Sequence, residues 1–343
     1  MPSARLNRVM SNSTPRKVNT DGNAYIITGP TSGIGRATAL ELAKYGTVVL
    51  VGRDRNKLDA LQKIIERKGQ HAMPVVCDLS DLVGVRRAAA EIVALRLPIA
   101  GLLNNAGIMQ MRPTKNALGW DLSFVTNHLG PFALTEALIP HLPDGTNVVF
   151  VVSAVEDPER KPAVAAGFRG GRYISAEASA WGEWKPGGAK QPGLDAYATS
   201  KQAILAAALA FARETPRLHF NAVEPGVTPT TALARDAGVF VRLLSKTLIP
   251  LLVPLLMPFI KILSTPRRAA RVITQIMIDT SGQTGVYYDE GGHPMLGSAL
   301  VRDPKFQDLV VAETRALLTQ PQTHRPPASR SQRHPQHPSV LQR

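Results

Sequence analysis

The sequence contains a single cysteine, few aromatic residues and no apolar segment of membrane-spanning length. Cys77 has no second cysteine to pair with, which excludes a disulfide-stabilised fold and a cysteine-rich metal site. Aromatic residues make up 5% of the chain and do not alternate with basic ones, so a nucleic-acid stacking surface is not indicated. No long apolar run follows Met1, as a secretory signal would require. We therefore expect an intracellular, cytoplasmic protein without a metal centre.

Acidic residues are outnumbered by basic ones, and the excess is unevenly distributed. The 343 residues include 40 Lys and Arg against 26 Asp and Glu, a net charge of +14, and half of this excess lies in residues 1–21 and 320–343. The C-terminal stretch is rich in Pro, Gln, Ser and His and has almost nothing to bury, which is typical of disorder. We therefore predict one folded domain over residues 22–319 between two disordered basic tails, without a nucleic-acid partner.

Short apolar runs alternate with helical patterns from Ala24 onward. The runs are continuously apolar, as in parallel strands that are covered on both faces. Seven runs are present: AYIIT (24–28), TVVLV (47–51), MPVVC (73–77), IAGLLNN (99–105), NVVFVVS (147–153), LHFNAV (218–223) and TGVYY (284–288). The segments between them fit helices at 33–45, 54–68, 80–96, 117–141 and 196–213. This order predicts a doubly wound α/β fold with a sheet of seven parallel strands and helices on both faces.

The first run leads into a glycine-rich turn and then into a helix. Gly29, Gly33 and Gly35 would let the backbone bend tightly and let a pyrophosphate approach. The N-terminus of the helix would offer its free N–H groups and positive dipole to the phosphates. Glycines gather at many turns, but a strand directly before this one and a helix directly after it favour a dinucleotide-binding loop.

The end of the second run bears on which dinucleotide would bind. An acidic residue there would accept hydrogen bonds from the adenosine ribose, whereas a basic residue would accommodate a 2′-phosphate. Arg53 stands at this place and Asp54 follows it. We therefore favour NADP(H) and keep NAD(H) as an alternative. In the competing interpretation Arg53 only faces water and Asp54 caps the next helix.

Tyr197 and Lys201 are four residues apart in a segment predicted to be helical. At this spacing the phenol and the ammonium lie on one face of the helix. The ammonium should favour the phenolate, lower the pKa of Tyr197 and let it exchange a proton with a substrate oxygen. A lone pair of this kind is usually a surface contact, so its meaning depends on its surroundings.

The surroundings resemble the short-chain dehydrogenase/reductase family over roughly residues 22–290. The resemblance rests on the glycine loop and the tyrosine–lysine pair, together with the NNAG motif at 104–107, Asn127, Ser153 and the Pro-Gly pair at 225–226. The stretches LLNNAGIM and VTNHLGPFALT look closest to the retinol-dehydrogenase-like branch. The resemblance implies a single Rossmann domain that transfers hydride between NAD(P)(H) and an alcohol or carbonyl, assembled as a homodimer or homotetramer through its long central helices.

The resemblance also implies a role for four catalytic residues. Tyr197 would be the general acid in reduction and the base in oxidation. Lys201 would bind the nicotinamide ribose and tune Tyr197. Ser153 would hold the substrate oxygen, and Asn127 would hold a water that links Lys201 to solvent.

Cofactor contacts follow from the same resemblance. The implied residues are Gly29, Thr31, Ser32, Gly33, Ile34, Gly35, Arg53, Asp78, Leu79, Asn105, Ala106, Gly107, Tyr197, Lys201, Pro225, Gly226, Val227 and Thr230. Among them, Asn105 and Gly107 would lie on the adenosine side and Asp78 would contact the adenine. The stretch PGVTPT (225–230) would cover the nicotinamide.

The segment between Ser153 and the predicted tyrosine is longer than this family usually has. The insertion comprises residues 155–194. Both of its ends lie beside predicted catalytic residues in the sequence, so it should shape the substrate entrance. Ser175 or Ser179 within it could be the active serine instead. We favour Ser153, because it directly ends an apolar strand where the family places this residue.

Two apolar features indicate a lipophilic substrate. Trp181 and Trp184 of the insertion would either contact a bulky apolar substrate or anchor the insertion to the body. Residues 228–264 would form a lid with an apolar part at 239–263. The uncharged core of that part, Thr247 to Ile260, is 14 residues long and contains three prolines, so it is too short to span a bilayer. It would cover the substrate or, alternatively, dock on a membrane surface.

Together these features predict an NADP(H)-dependent oxidoreductase that acts on a lipophilic alcohol, aldehyde or ketone. The alternative is an NADP(H)-binding regulatory or interaction protein without turnover. The intact set of Asn127, Ser153, Tyr197 and Lys201 argues against this alternative, because a protein without turnover has no physical need for all four residues.

Overall fold

The computed structural model describes residues 22–226 and 264–320, and these are built around one mixed sheet. Its strands are β1 (Ala24–Thr28), β2 (Thr47–Gly52), β3 (Ala72–Val76), β4 (Ile99–Asn104), β5 (Asn147–Val151), β6 (His219–Val223), β7 (Tyr287–Tyr288) and β8 (Pro294–Met295). They are ordered β3-β2-β1-β4-β5-β6-β7-β8. The seven predicted strands are confirmed as parallel, and the eighth, antiparallel to β7, corrects the predicted count. Two residues are too few for a periodic pattern to reveal.

Helices cover both faces of the sheet. They are α1 (Gly33–Leu42), α2 (Arg55–Glu66), α3 (Leu82–Ala94), α4 (Leu122–Phe124), α5 (Gly130–Leu138), α6 (Lys161–Ala165), α7 (Ala176–Trp181), α8 (Pro192–Glu214), α9 (Pro266–Met277) and α10 (Pro304–Thr319). A π-helical turn, Val125–Leu129, joins α4 to α5, and short 3-10 turns span Ile139–His141 and Ala154–Glu156. The single helix predicted at 117–141 is therefore divided, and α8 begins four residues before the predicted start.

Successive side chains along each strand point to opposite faces of the sheet, so the core is divided into two layers. In β1, Tyr25 and Ile27 pack with Leu42 and Leu58 from α1 and α2. Ile26, between them, joins the opposite layer, which α3, α5 and α8 cover. All these strand residues are buried, and each such side chain stabilises the fold by about 1.5–3 kcal/mol relative to exposure. The continuous apolar runs thus reflect a sheet that is buried on both faces.

The C-terminal helix α10 lies along α8 on the outside of this second layer. Arg315 pairs with Glu136 of α5 and with Glu214 of α8, at 2.7 Å in both cases. Thr314 Oγ1 lies 2.9 Å from Nε2 of the buried His128 in the π-helical turn. Nearly every residue of α8 from Gly193 to Ala212 is buried as a result.

The strand order reverses between β1 and β4. The chain builds outward from β1 to β2 and β3, and then from β4 in the other direction. In such sheets ligands bind in the crevice at the carboxyl ends of the strands on either side of the reversal. Thr28 and Asn104 end the two strands, so the segments that follow them are placed to form a site.

Several predictions concern residues outside the described part of the chain. They are the two tails, Val227, Thr230, the lid at 228–264 except its last residue, and the apolar segment at 239–263. Within residues 22–226 and 264–320, no helix combines the length and apolar character needed to cross a bilayer.

Candidate active site

The glycine-rich loop after β1 has a backbone that only glycine adopts without strain. Gly29 and Gly33 have φ angles of +67° and +55°. A Cβ atom at Gly35 would lie 2.3 Å from the Gly29 carbonyl oxygen and 2.4 Å from Asn105 Nδ2. The predicted phosphate-binding residues occupy this loop and the first turn of α1: Gly29, Thr31, Ser32, Gly33, Ile34 and Gly35. The loop is therefore a cradle with no room for side chains on its inner face.

The N-terminus of α1 lacks the side-chain cap that its neighbours have. Ser32 is the N-cap residue of α1 and its hydroxyl makes no capping hydrogen bond. By contrast, Asp54 caps α2 through Lys57 N, and Asp81 caps α3 through Val83 N. Leading N–H groups without a cap are the feature that binds phosphate at helix N-termini. The residues present thus fit the pyrophosphate of a dinucleotide.

Thr28 connects the loop to the segment after β4. Its hydroxyl oxygen accepts hydrogen bonds from Asn105 N at 2.9 Å and from Ala106 N at 3.0 Å. The Asn105 amide donates back to the Thr28 carbonyl at 2.9 Å and to the Gly29 carbonyl at 3.3 Å. Asn105 and Ala106 therefore fix the loop. The importance of Thr28 was missed, although a polar residue that ends an apolar strand before a glycine could have drawn attention to it.

Arg53 and Asp54, at the end of β2, differ in their contacts. Arg53 is exposed, and no ion pair involves it within residues 22–226 and 264–320. Asp54 accepts a hydrogen bond from Lys57 N at 3.2 Å and pairs with Lys57 Nζ at 2.6 Å, and these contacts lower the pKa of its carboxyl. The carboxylate is thus engaged by α2, as in the competing interpretation of Asp54, and the role of Arg53 stays a prediction.

The segment after β3 holds two predicted cofactor-binding residues, of which Asp78 is the one predicted to contact the adenine. Asp78 is half-buried and accepts hydrogen bonds from Ser80 N at 2.9 Å and from Ser80 Oγ at 2.7 Å. Leu79 is buried, and its carbonyl oxygen would lie 2.2 Å from a Cβ at Gly130. Asp78 thus shapes the turn, and Leu79 packs tightly against the start of α5.

Three predicted catalytic residues meet where α8 passes the end of β5. Lys201 Nζ donates to the Val151 carbonyl at 2.8 Å and lies 5.7 Å from the centre of the Tyr197 ring. The Ser153 hydroxyl hydrogen-bonds with the Tyr197 phenol. Ser175, by contrast, caps α7 and Ser179 is fully buried beside it, so Ser153 is the serine that the structure places with the tyrosine.

The ionisation of the pair differs from the sequence prediction. Burial raises the pKa of Tyr197, and the nearby Glu224 carboxyl raises it further, while the hydrogen bond with Ser153 lowers it. Burial also lowers the pKa of Lys201 to about 8, against the opposing effect of Glu224. The pKa of Tyr197 is thus raised and not lowered as predicted, because desolvation of the phenolate is the largest effect on it.

Asn127 lies in the π-helical turn, a feature often found at functional sites. Its Oδ1 accepts from Ile108 N and its Nδ2 donates to Ile108 O, both at 2.8 Å. The second Nδ2 proton goes to Ser200 Oγ at 3.0 Å. The side-chain donors are thus committed to joining the β4 loop to α8, and the water link to Lys201 stays a prediction.

Gly107 lies on the catalytic side of the site rather than on the adenosine side. A Cβ atom there would be 3.3 Å from Asn127 Oδ1 and 3.5 Å from Lys201 Nζ. The loop after β4 thus runs from the glycine cradle towards α8, and the predicted contact of Gly107 with a cofactor stays a prediction. On the far side of the site, Pro225 and Gly226 follow β6, and Gly226 has a φ of +75°.

The insertion packs against the body through its tryptophans. Trp181 meets Trp120 edge-on at a ring separation of 6.3 Å, and Trp184 meets Phe124 at 6.3 Å. These contacts support the anchoring interpretation of both tryptophans. Phe168 is the aromatic residue of the insertion that reaches the site, with its ring 6.3 Å from that of Tyr197.

Comparison with known proteins also indicates a short-chain dehydrogenase. The family model of short chain dehydrogenases matches residues 23–164. The chain is 36% identical over 137 residues to retinol dehydrogenase 13 of Homo sapiens, covering 39% of this chain and 41% of that protein. It is 38% identical over 126 residues to polyprenol dehydrogenase of Mus musculus, covering 35% of this chain and 37% of that protein. The chain thus spans about two fifths of the length of these relatives.

Structural similarity extends further along the chain. A solved structure from Mycobacterium Paratuberculosis has a TM-score of 0.61 and 25% identity, and the match covers 87% of this chain and 93% of that one. The fold is therefore shared well beyond the region matched by the family model. The motifs, the sheet order and the relatives thus agree in a similarity to short-chain dehydrogenases, which the family model shows over residues 23–164.

Proposed function

We propose that the protein is an NADP(H)-dependent oxidoreductase that transfers hydride between the nicotinamide and a lipophilic alcohol, aldehyde or ketone. The observation that carries the proposal is the meeting of Ser153, Tyr197 and Lys201 at the end of β5. The cradle and this cluster are continuous, since Asn105 binds the glycine loop and Gly107, two residues later, reaches Lys201. One ligand could therefore extend from the cradle to the catalytic residues.

The proton transfer is assigned to Tyr197. A bound nicotinamide dinucleotide would supply or accept the hydride. In reduction, the phenol gives its proton to the carbonyl oxygen while the carbonyl carbon gains the hydride, so an aldehyde or ketone becomes an alcohol. Ser153 holds that oxygen by a hydrogen bond. Lys201, 5.7 Å from the ring centre, stabilises the phenolate that remains.

The preference for a lipophilic substrate is supported by the apolar cluster beside Tyr197. Its buried members are Ala163, Phe168, Leu194, Tyr197 and Ala198, with Met109, Val155 and Ala189 partly buried against them. Two relatives are named for retinol and polyprenol, both long apolar alcohols. Apolar walls that surround a few polar groups are typical of pockets for such molecules.

The function is tested by following NADPH absorbance with a panel of carbonyl compounds. The panel contains short and long aliphatic aldehydes, ketones and polycyclic quinones. We expect turnover with the long or polycyclic compounds and little with the short polar ones. If NADPH binds and no member of the panel is reduced, the protein is a cofactor-binding protein without this activity and the proposal fails.

Arg53→Ala should weaken the preference for NADPH. The substitution removes the guanidinium and with it a charge-assisted contact with the 2′-phosphate, which is worth about 1.5–3 kcal/mol. KM for NADPH should therefore rise about tenfold or more, while KM for NADH stays unchanged. The matched control is Arg55→Ala, because Arg55 is also exposed, lies on α2 and pairs with Asp59 at 2.8 Å. Equal use of both cofactors by the wild-type protein and by Arg53→Ala would contradict the assignment.

A further inference from the structure

A buried carboxyl lies directly behind the catalytic serine. Glu224 follows β6 and is only 5% exposed. Its backbone N–H donates to the Tyr288 carbonyl at 2.8 Å, so β7 fixes the position of its main chain. Glu224 is not among the predicted site residues, although an acidic residue between an apolar strand and a Pro-Gly pair is an unusual feature of a sequence.

The carboxyl of Glu224 joins the ends of two strands. Oε2 accepts a hydrogen bond from Ala154 N, just after β5, and Oε1 accepts one from Gly226 N at 3.2 Å. The Ser153 hydroxyl hydrogen-bonds with the same carboxyl and also with the Tyr197 phenol. A continuous polar path therefore runs from Glu224 through Ser153 to Tyr197.

We propose that Glu224 is a positioning residue that sets the direction of the Ser153 hydroxyl, and this rests on the proposed function. A serine hydroxyl has one proton to donate and lone pairs that accept. When Glu224 is ionised it takes that proton, and Ser153 can then only accept a hydrogen bond, as from the Tyr197 phenol. When Glu224 is protonated it can donate to Ser153, whose own proton is then free for a substrate carbonyl. The protonation of the carboxyl thus decides whether Ser153 can donate to the substrate oxygen.

The surroundings of Glu224 favour its neutral form. Burial raises the pKa of its carboxyl and the Glu290 carboxylate raises it further, while the bonds from Ala154, Ser153 and Gly226 lower it. The other titratable groups that interact with Glu224 are Tyr197 and Lys201 of α8 and Tyr287 of β7. Burial is the largest of these effects, so the surroundings shift the carboxyl towards its neutral form, in which Ser153 is free to donate to a substrate carbonyl.

Glutamine cannot reproduce this arrangement. Two backbone N–H groups point at the two carboxyl oxygens, so the amide nitrogen of Glu224→Gln would face one of them without being able to accept. The serine should then lose its fixed direction. We expect kcat for reduction to fall by up to about 100-fold, as small misplacements at a reacting centre do. Binding of NADPH should change little.

The deciding experiment is a double-mutant cycle between Glu224→Gln and Ser153→Ala. If Glu224 acts through Ser153, adding Glu224→Gln to Ser153→Ala should lower kcat no further. If the two substitutions lower kcat by independent factors that multiply in the double variant, the proposal is overturned, because a carboxyl with a merely structural role acts without Ser153.

Glu224→Asp, which keeps the carboxyl, is tested in the same cycle with Ser153→Ala. It replaces Glu224→Gln in the test if that variant does not fold. The matched control is Glu156→Gln, because Glu156 is equally buried but bonds Ser298. It should lower Tm and leave kcat unchanged.

A second readout separates this proposal from the proposed function. The ionisation of Tyr197 is followed by the ultraviolet absorbance of phenolate, as the difference between each protein and its Tyr197→Phe counterpart. The charge of Glu224 acts on Tyr197 with or without Ser153, so the test is the remaining coupling: Glu224→Gln should shift this titration by a different amount in the Ser153→Ala protein than in the wild-type protein. If the wild-type protein reduces nothing in the panel, the proposed function fails while the titration still decides the role of Glu224. Independent shifts would refute it.

Discussion

Tyr197→Phe should lower carbonyl turnover by about 10²- to 10⁴-fold, the range for loss of a general acid. Phenylalanine keeps the ring, which packs against Phe168 at 6.3 Å and lies 5.7 Å from Lys201 Nζ. The substitution removes only the hydroxyl, and with it the proton that reaches the substrate oxygen. Because the cradle around Gly35 is untouched, NADPH should bind as before. Turnover is measured by NADPH absorbance, and binding by NADPH fluorescence.

The matched control for this variant is Tyr173→Phe. Tyr173 is also buried, contacts Phe306 edge-on at 5.6 Å and donates a hydrogen bond to Glu313 at 2.7 Å. Its loss should cost about 1–3 kcal/mol of stability and leave kcat unchanged. A Tyr197→Phe protein with wild-type kcat would remove Tyr197 from the mechanism.

Gly35→Ala should weaken NADPH binding by about 10- to 100-fold. The added methyl group would stand 2.3 Å from the Gly29 carbonyl oxygen and 2.4 Å from Asn105 Nδ2, far inside contact distance. Relief of such overlap costs about 1–3 kcal/mol, and here it requires the loop to move away from α1, which opens the phosphate cradle. The measurement is titration of NADPH fluorescence, with circular dichroism to confirm the fold.

Gly69→Ala is the control for a glycine substitution in general. Gly69 lies between α2 and β3, and a Cβ atom there would meet nothing within 4 Å. Its φ of +73° makes alanine cost about 1–2 kcal/mol of stability. Cofactor binding should nevertheless be unaffected. Equal loss of NADPH binding in both variants would show that the damage is general and not specific to the cradle.

Local features of the sequence were enough to predict the glycine-rich loop and seven parallel strands. The glycines at 29, 33 and 35 lie within one turn, and their spacing depends on the backbone of that turn alone. The apolar runs gave seven strands because burial on both faces leaves an unbroken signal. Strand β8 could not be predicted in this way, because it consists of only two residues, Pro294 and Met295, and forms no apolar run.

Features that depend on distant parts of the chain could not be predicted in the same way. The pKa of Tyr197 is set by its burial under other elements and by Glu224, neither of which its own helix specifies. The neighbours of Gly107, Asn127 and Lys201, come from two separate helical segments, so its own motif does not reveal them. The bonds of Asn127 to Ile108 and Ser200 likewise join segments that are far apart in the sequence.

Helix α10 has a consequence for self-association. Homodimers through the long central helices, as the family resemblance implied, would need an open face on α8. Here α10 covers that helix, and Arg315 binds acidic residues of both α5 and α8. A second copy could reach α8 only by displacing α10 and breaking both ion pairs. The chain thus supplies from its own C-terminal region the cover that a partner subunit would otherwise provide.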